Sequence, residues 1–151
     1  MHEKIKIPEK PWVIKNNLKV SEFLSWAKDK NIDTENNVFI LDGRKMKNWN
    51  SLVQEFQRVM KFPSYCGTNR DALDECMMDV TEWLNVSMII IFIKYSGSIL
   101  IDEENHNNAY DELIEMFNEY GNEYSKEYFI NKNNVNNRRK YPFHVILSLC
   151  C

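Results

Sequence analysis

Five carboxylates fall within twelve residues of this chain, at Asp71, Asp74, Glu75, Asp79 and Glu82. Side chains of this type at this density suit one of three tasks: general acid–base catalysis, binding of a divalent cation, or presentation of fixed negative charge to a cationic partner. The rest of the sequence argues against the first two. Its three histidines, His2, His106 and His144, are scattered, its four glycines form no phosphate-cradling loop, and no Ser, Cys or His arrangement marks a nucleophile. Ligands on a single helix face also do not surround an ion. No catalytic residue, metal or cofactor is therefore expected, and a carboxylate-dependent hydrolase is the least favoured alternative. The electrostatic reading remains.

The elements around these carboxylates are built to position them. Pro63 fixes φ and Gly67 admits backbone angles that a Cβ resists, so Tyr65 sits on a constrained turn between them. Thr68 or Asn69 can cap the amides of a following helix, and Asp71 falls in its first turn, where the helix dipole favours a carboxylate. Leu73, Cys76, Met77, Val80 and Leu84 then recur at helical spacing as an apolar stripe, with Asp71, Asp74, Glu75, Asp79 and Glu82 on the remaining arc. The competing explanation is an ordinary solvated surface that supports solubility.

Charge along the chain is uneven. Residues 71–125 carry 13 acidic residues against the single Lys94, a balance of −12, while the remainder balances +9 and the whole only −3. Such a stretch repels phosphates and attracts basic proteins, so no direct nucleic-acid binding is expected. The longest purely apolar run, Met88 to Ile93, is six residues, and the first ten residues contain no signal-like apolar core. No membrane association, a cytoplasmic location and a monomeric state are the expectations. Cysteines 66, 76, 150 and 151 have no Cys-x-x-Cys spacing, and Cys76 falls on the apolar stripe, so reduced thiols are expected rather than a disulfide or zinc site.

A chain of 151 residues with 44% hydrophobic content can form one domain. Val38 to Leu41 reads as a buried strand ended by Asp42-Gly43, followed by a helix over Leu52, Val53, Phe56, Val59 and Met60. Met88 to Ile93 reads as a central strand covered on both faces. Tyr110, Leu113, Ile114 and Phe117 mark a helix stopped near Gly121, and His144 to Leu149 a last strand. Strands alternating with helices predict an α/β class with a small three-stranded parallel sheet. Residues 1–36 form an extension packed on the same domain, with an added strand or turn at Trp12-Val13-Ile14 and a helix from Ser21. The polar, Asn-rich stretch 131–140 reads as a mobile loop.

Phe62-Pro63-Ser64-Tyr65, Gly67, Asn69, Asp71-Ala72-Leu73 and Cys76, preceded by Leu41-Asp42-Gly43, resemble the barstar family of intracellular ribonuclease inhibitors. The order of elements agrees from about residue 37 to residue 151. What the resemblance implies is inhibition without chemistry, by an immunity protein whose loop and acidic helix plug the active site of a cationic toxin, a secreted ribonuclease. Tyr65 matches the family's loop tyrosine, Asp71 its first-turn acidic residue, Glu75 its central carboxylate, normally Asp, and Glu119 a further rim carboxylate. Gly67, Asn69, Asp74, Met78 and Asp79 complete the expected partner-binding set. Asp74 stands where the type member has a Trp, and Met78 and Val80 replace a Thr and a second Trp, which points to a cognate toxin of its own. The alternative is an adaptor that puts the same acidic surface on a basic protein other than a ribonuclease.

Overall fold

Four runs rich in β-branched and aromatic residues align as one parallel sheet in the computed structural model, which describes residues 3–127 and 139–151. The strands are β1 (Val13–Asn16), β2 (Val38–Asp42), β3 (Ile89–Lys94) and β4 (Phe143–Ser148), in the order β1-β4-β3-β2. Register places Ile91 between Phe39 and Val145, so the middle strands are flanked on both sides. Ile89 to Ile93 are fully buried, as expected of a strand covered on both faces.

The expected three-stranded sheet is corrected to four strands. Val13 to Asn16 pairs with Val145 to Ser148, and the added strand forms an edge of the sheet. Pairing with a strand some 130 residues away leaves little local pattern in a four-residue segment, which is why it read only as a strand or a turn.

Side chains alternate across the strands, so each face needs its own cover. On one face Phe23 and Ala27 of α1 (Val20–Asp29) pack with Ile5, Ile90, Phe92 and Ile146. On the other, Leu52 and Phe56 of α3 (Trp49–Met60), Leu73 and Met77 of α4 (Arg70–Met78) and Leu113 and Phe117 of α5 (His106–Tyr124) pack with Phe39, Ile91, Phe143 and Val145. A short α2 (Thr34–Asn37), capped by Asp33, leads into β2. Full burial of each such side chain stabilises by about 1.5–3 kcal/mol, so both layers contribute to the fold. Among the described residues no helix is long and apolar enough to cross a membrane.

Two helix ends differ from expectation. The acidic helix stops at Met78 rather than running to Leu84. The chain tightens there into a 3-10 turn, Val80–Glu82, which drives Val80 into the core, and the Trp83 indole N–H donates to the Met60 carbonyl at 3.0 Å. Gly121 does not stop α5, which continues to Tyr124. A Cβ at that position would overlap the Trp12 ring, so the glycine is a seat for an aromatic from the N-terminal extension. Residues 131–138 of the stretch read as a mobile loop lie outside the described residues.

Candidate functional site

The chain between α3 and α4 runs back along α3 and is fastened to it. The Gln57 side-chain amide donates to the carbonyls of Cys66 and Gly67 at 3.2 and 2.8 Å, and the Asn50 amide donates to the Thr68 hydroxyl at 2.7 Å. Asn69, not Thr68, caps α4, its Oδ1 accepting from the Ala72 N–H at 2.9 Å. Its side chain is thus committed to holding the helix start rather than free for a partner. On this turn Tyr65 stands 77% exposed.

A covalent link completes the fastening: Cys66 and Cys76 form a disulfide that joins the turn to the buried face of α4. This corrects the expectation of reduced thiols at these positions. The physical reason is the turn itself. By folding back over the helix it brings residue 66 to a Cα–Cα distance of 6.7 Å from residue 76, within reach of a bridge. A spacing of ten residues is no motif, and a cysteine on an apolar stripe is indistinguishable from core until the turn's path is known. Cys150 and Cys151 remain free.

Along α4, Ala72, Leu73, Cys76 and Met77 are buried and Asp71, Glu75 and Asp79 are exposed. Spacing of four residues stacks these three carboxylates in one row, with Asp79 at the helix C-cap. Among the described residues none of them is ion-paired with a lysine or arginine. Like charges four apart destabilise a helix by about 0.2–0.5 kcal/mol per pair, and a carboxylate at a helix C-terminus opposes the dipole. Glu75 and Asp79 therefore cost the free protein some stability, offset in part by Asp71, which the dipole favours in the first turn.

Asp74 and Met78 are half-buried and lie toward α5 and the core. The Tyr120 hydroxyl donates to Asp74 Oδ1 at 2.5 Å, and the Tyr124 hydroxyl to the Met77 carbonyl at 2.6 Å. Burial, then the hydrogen bond to Asp74 and the charges of Asp74 and Glu119, hold the Tyr120 phenol far above its ordinary range, so it stays protonated and keeps its donated bond to Asp74. Glu119 is exposed on α5 and close enough for its charge to act on Tyr120. Arg70, at the start of α4, is ion-paired with Glu112 of α5. The structure thus gathers Asp71, Glu75 and Asp79 on one exposed row, holds Asp74 to Tyr120, leaves Glu119 exposed next to Tyr120 on α5, and places Tyr65 and Gly67 on the turn ahead of α4.

Residues missed in the sequence are those that lock this surface: Gln57, Asn50, Tyr120 and the Arg70–Glu112 pair. Polar residues on otherwise amphipathic helices and two tyrosines four apart on α5 were the available signals. A further unexpected feature is Glu55, 3% exposed inside α3, which accepts from the Asp42 N–H at 2.9 Å and pairs with Arg58. It ties α3 to the end of β2. Among the described residues no three His, Cys, Asp or Glu side chains converge as metal ligands would.

The family model described as Barstar (barnase inhibitor) matches residues 36–148. That span includes β2, β3, β4, the Tyr65 turn, α4 and α5. No curated protein matches the chain significantly.

Proposed function

The chain belongs to the barstar family, and on that premise we propose that it is a cytoplasmic immunity protein, not an enzyme, that inhibits a cationic ribonuclease toxin by filling its catalytic cleft. The row Asp71, Glu75 and Asp79 occupies the place of substrate phosphates, and Tyr65 packs beside it. A ribonuclease cleft must concentrate cations to bind RNA, and a fixed carboxylate can form short, charge-assisted, bidentate bonds with an arginine there. Long-range attraction also speeds association and weakens with salt.

One observation carries this reading. The exposed carboxylates stand on a capped helix, disulfide-linked to its preceding turn, and none is neutralised by a described cation of the same chain. Preorganised groups of this kind lose little entropy on docking. Asp74 supports the row rather than serving as an aromatic anchor, and Val80 is fully buried, so the partner's pocket is filled by charge and by Tyr65.

The burial of Val80 and the absence of a Trp at position 74 favour a partner different from the enzyme bound by the type member, and a second reading is an adaptor for a basic toxin with another activity. Capture of basic proteins from the native cell by the tagged chain, followed by ribonuclease assay of each with and without the chain, separates the two. Loss of RNA cleavage at equimolar inhibitor supports the proposal; capture of a basic toxin without ribonuclease activity supports the adaptor.

A further inference from the structure

His144 is a fully buried residue of β4, paired in register with Ile90 and, by alternation, on the same face as Ile146. A buried imidazole needs a partner at each ring nitrogen. Here both partners are acceptors: Nδ1 stands 2.8 Å from the Pro11 carbonyl oxygen and Nε2 2.9 Å from the Ile7 carbonyl oxygen. A neutral imidazole carries a single N–H, so its second nitrogen would set a lone pair against a carbonyl lone pair at hydrogen-bond distance. Only the imidazolium donates to both. The Trp12 ring, its centroid 5.9 Å from that of His144, adds an aromatic neighbour at the outer reach of a cation–π contact, about 6 Å. Burial opposes the charge, while two charge-assisted bonds favour it.

The two carbonyls belong to one segment, Ile7–Trp12, which leads from the 3-10 turn Glu3–Lys6 to β1. Its ends are anchored elsewhere. Ile5 is buried among Phe23, Ile90 and Ile146, and the Lys6 ammonium donates to the Lys30 carbonyl at 2.9 Å. At the far end Trp12 rests on Gly121, and its carbonyl accepts from the Val145 N–H at 2.7 Å. Between these anchors the segment forms a strap over the ring, with Ile7, Glu9 and Lys10 exposed. The charged groups of the elements around the ring are Lys6, Glu9 and Lys10 beside it in sequence, Lys15 of β1, Lys94 of β3, and Glu22, Lys28 and Asp29 of α1. Glu9, Glu22 and Asp29 favour an imidazolium and the lysines oppose it. All but the half-buried Lys94 are exposed, so solvent weakens their influence on a buried ring.

We propose that His144 is a proton-dependent latch for this strap. As an imidazolium it holds both carbonyls and fastens Ile7–Trp12 to β4. On giving its proton to solvent it keeps a donor for one carbonyl alone, and the other turns to water, which opens the strap. The latched form binds the proton more tightly than the open form, where the ring is an ordinary histidine with a value of about 6.5. The latch therefore contributes fully below about pH 6.5, and its contribution is lost as pH rises through the higher latched value. Between the two values opening becomes about tenfold easier per pH unit. The device is independent of what the acidic row binds.

The full chain with isotopically labelled histidine is titrated by NMR through and well above about pH 6.5. His2→Gln and His106→Gln assign the ring signals while leaving His144 in place. The expected result is a His144 ring protonated on both nitrogens at neutral pH. It should titrate at least about one unit above its value in the urea-unfolded chain, a tenfold tighter hold on the proton. Strap opening is read by cleavage after Glu9 with a glutamate-specific protease, measured at each pH against a free peptide of the strap sequence. That ratio should rise about tenfold across the His144 titration, and His144→Gln should lack the step. A ring with one protonated nitrogen at neutral pH, a titration at or below the unfolded value, or a cleavage ratio that does not follow the titration each overturns the proposal. The ring signals of the unsubstituted residue decide the matter even if His144→Gln folds poorly.

Discussion

Breaking the Cys66–Cys76 bond is the perturbation whose size the structure defines best. The bridge closes a loop of ten residues, and in the chain-entropy description closure of such a loop in the unfolded chain is worth about 2.7 kcal/mol. For a domain of this length that corresponds to a fall in Tm of roughly 5–10 °C. Cys66→Ala is the suitable variant, because it leaves Cys76, a small apolar side chain on the buried face of α4, in place. Thermal unfolding is compared for the parent with and without reductant and for Cys66→Ala under both conditions. The parent should lose stability on reduction to about the level of the variant, and reductant should leave the variant unmoved. The hydrogen bonds from Gln57 and Asn50 still hold the turn, so the reduced protein should remain folded. An equal Tm for parent and variant under oxidising conditions would refute the reasoning. In a reducing cytoplasm, the compartment proposed above, the same difference would separate the reduced from the oxidised inhibitor.

The acidic row predicts a conflict between stability and binding: Glu75→Gln relieves two like-charge pairs, with Asp71 and with Asp79, and should raise stability by about 0.4–1 kcal/mol in urea unfolding while weakening the partner complex. A fall in stability would remove the argument that the row is costly. Tyr120→Phe leaves Asp74 without its donor and should cost about 1–2 kcal/mol by the same assay, loosening α4 against α5. Acid unfolding should involve Asp42, whose carboxyl is held below the ordinary range chiefly by the Arg44 side chain. A depressed carboxyl stabilises the fold above its unfolded value, near 3.8, and that contribution disappears as pH falls through the lower folded value. Asp42→Asn should therefore flatten the stability profile below pH of about 4, and an unchanged slope there would contradict the assignment.

What could be read in the sequence were features carried by local chemistry. Thr68 or Asn69 ahead of Asp71-Ala72-Leu73 announced a helix start, and the runs from Val38 and from Met88 announced buried strands, because capping and burial leave their mark within a few residues. Features set by distant partners were not readable. Gly121 resembled a helix stop, yet its role is fixed by Trp12, more than a hundred residues earlier. The α4 terminus was placed too late because Val80 and Leu84 keep helical spacing while reaching the core through a tighter turn. Cys76 looked like core, and it is core; only the path of the turn reveals that Cys66 lies over it. At the candidate site the exposed carboxylates were legible as an arc of a helix. The tyrosine, amides and ion pair that hold that arc came from α3 and α5, and no spacing rule links those helices to α4.

The most direct test of the central claim is the affinity of a captured cationic ribonuclease for Glu75→Ala against Asp29→Ala. Asp29 is an exposed carboxylate at the end of α1, on the opposite face of the sheet. Truncating one member of a buried, hydrogen-bonded charge pair costs about 2–5 kcal/mol, which is at least about thirtyfold in Kd. Isothermal titration at fixed ionic strength should show that loss for Glu75→Ala and almost none for Asp29→Ala. Equal affinities for the two variants would contradict the account and remove the acidic row from the interface.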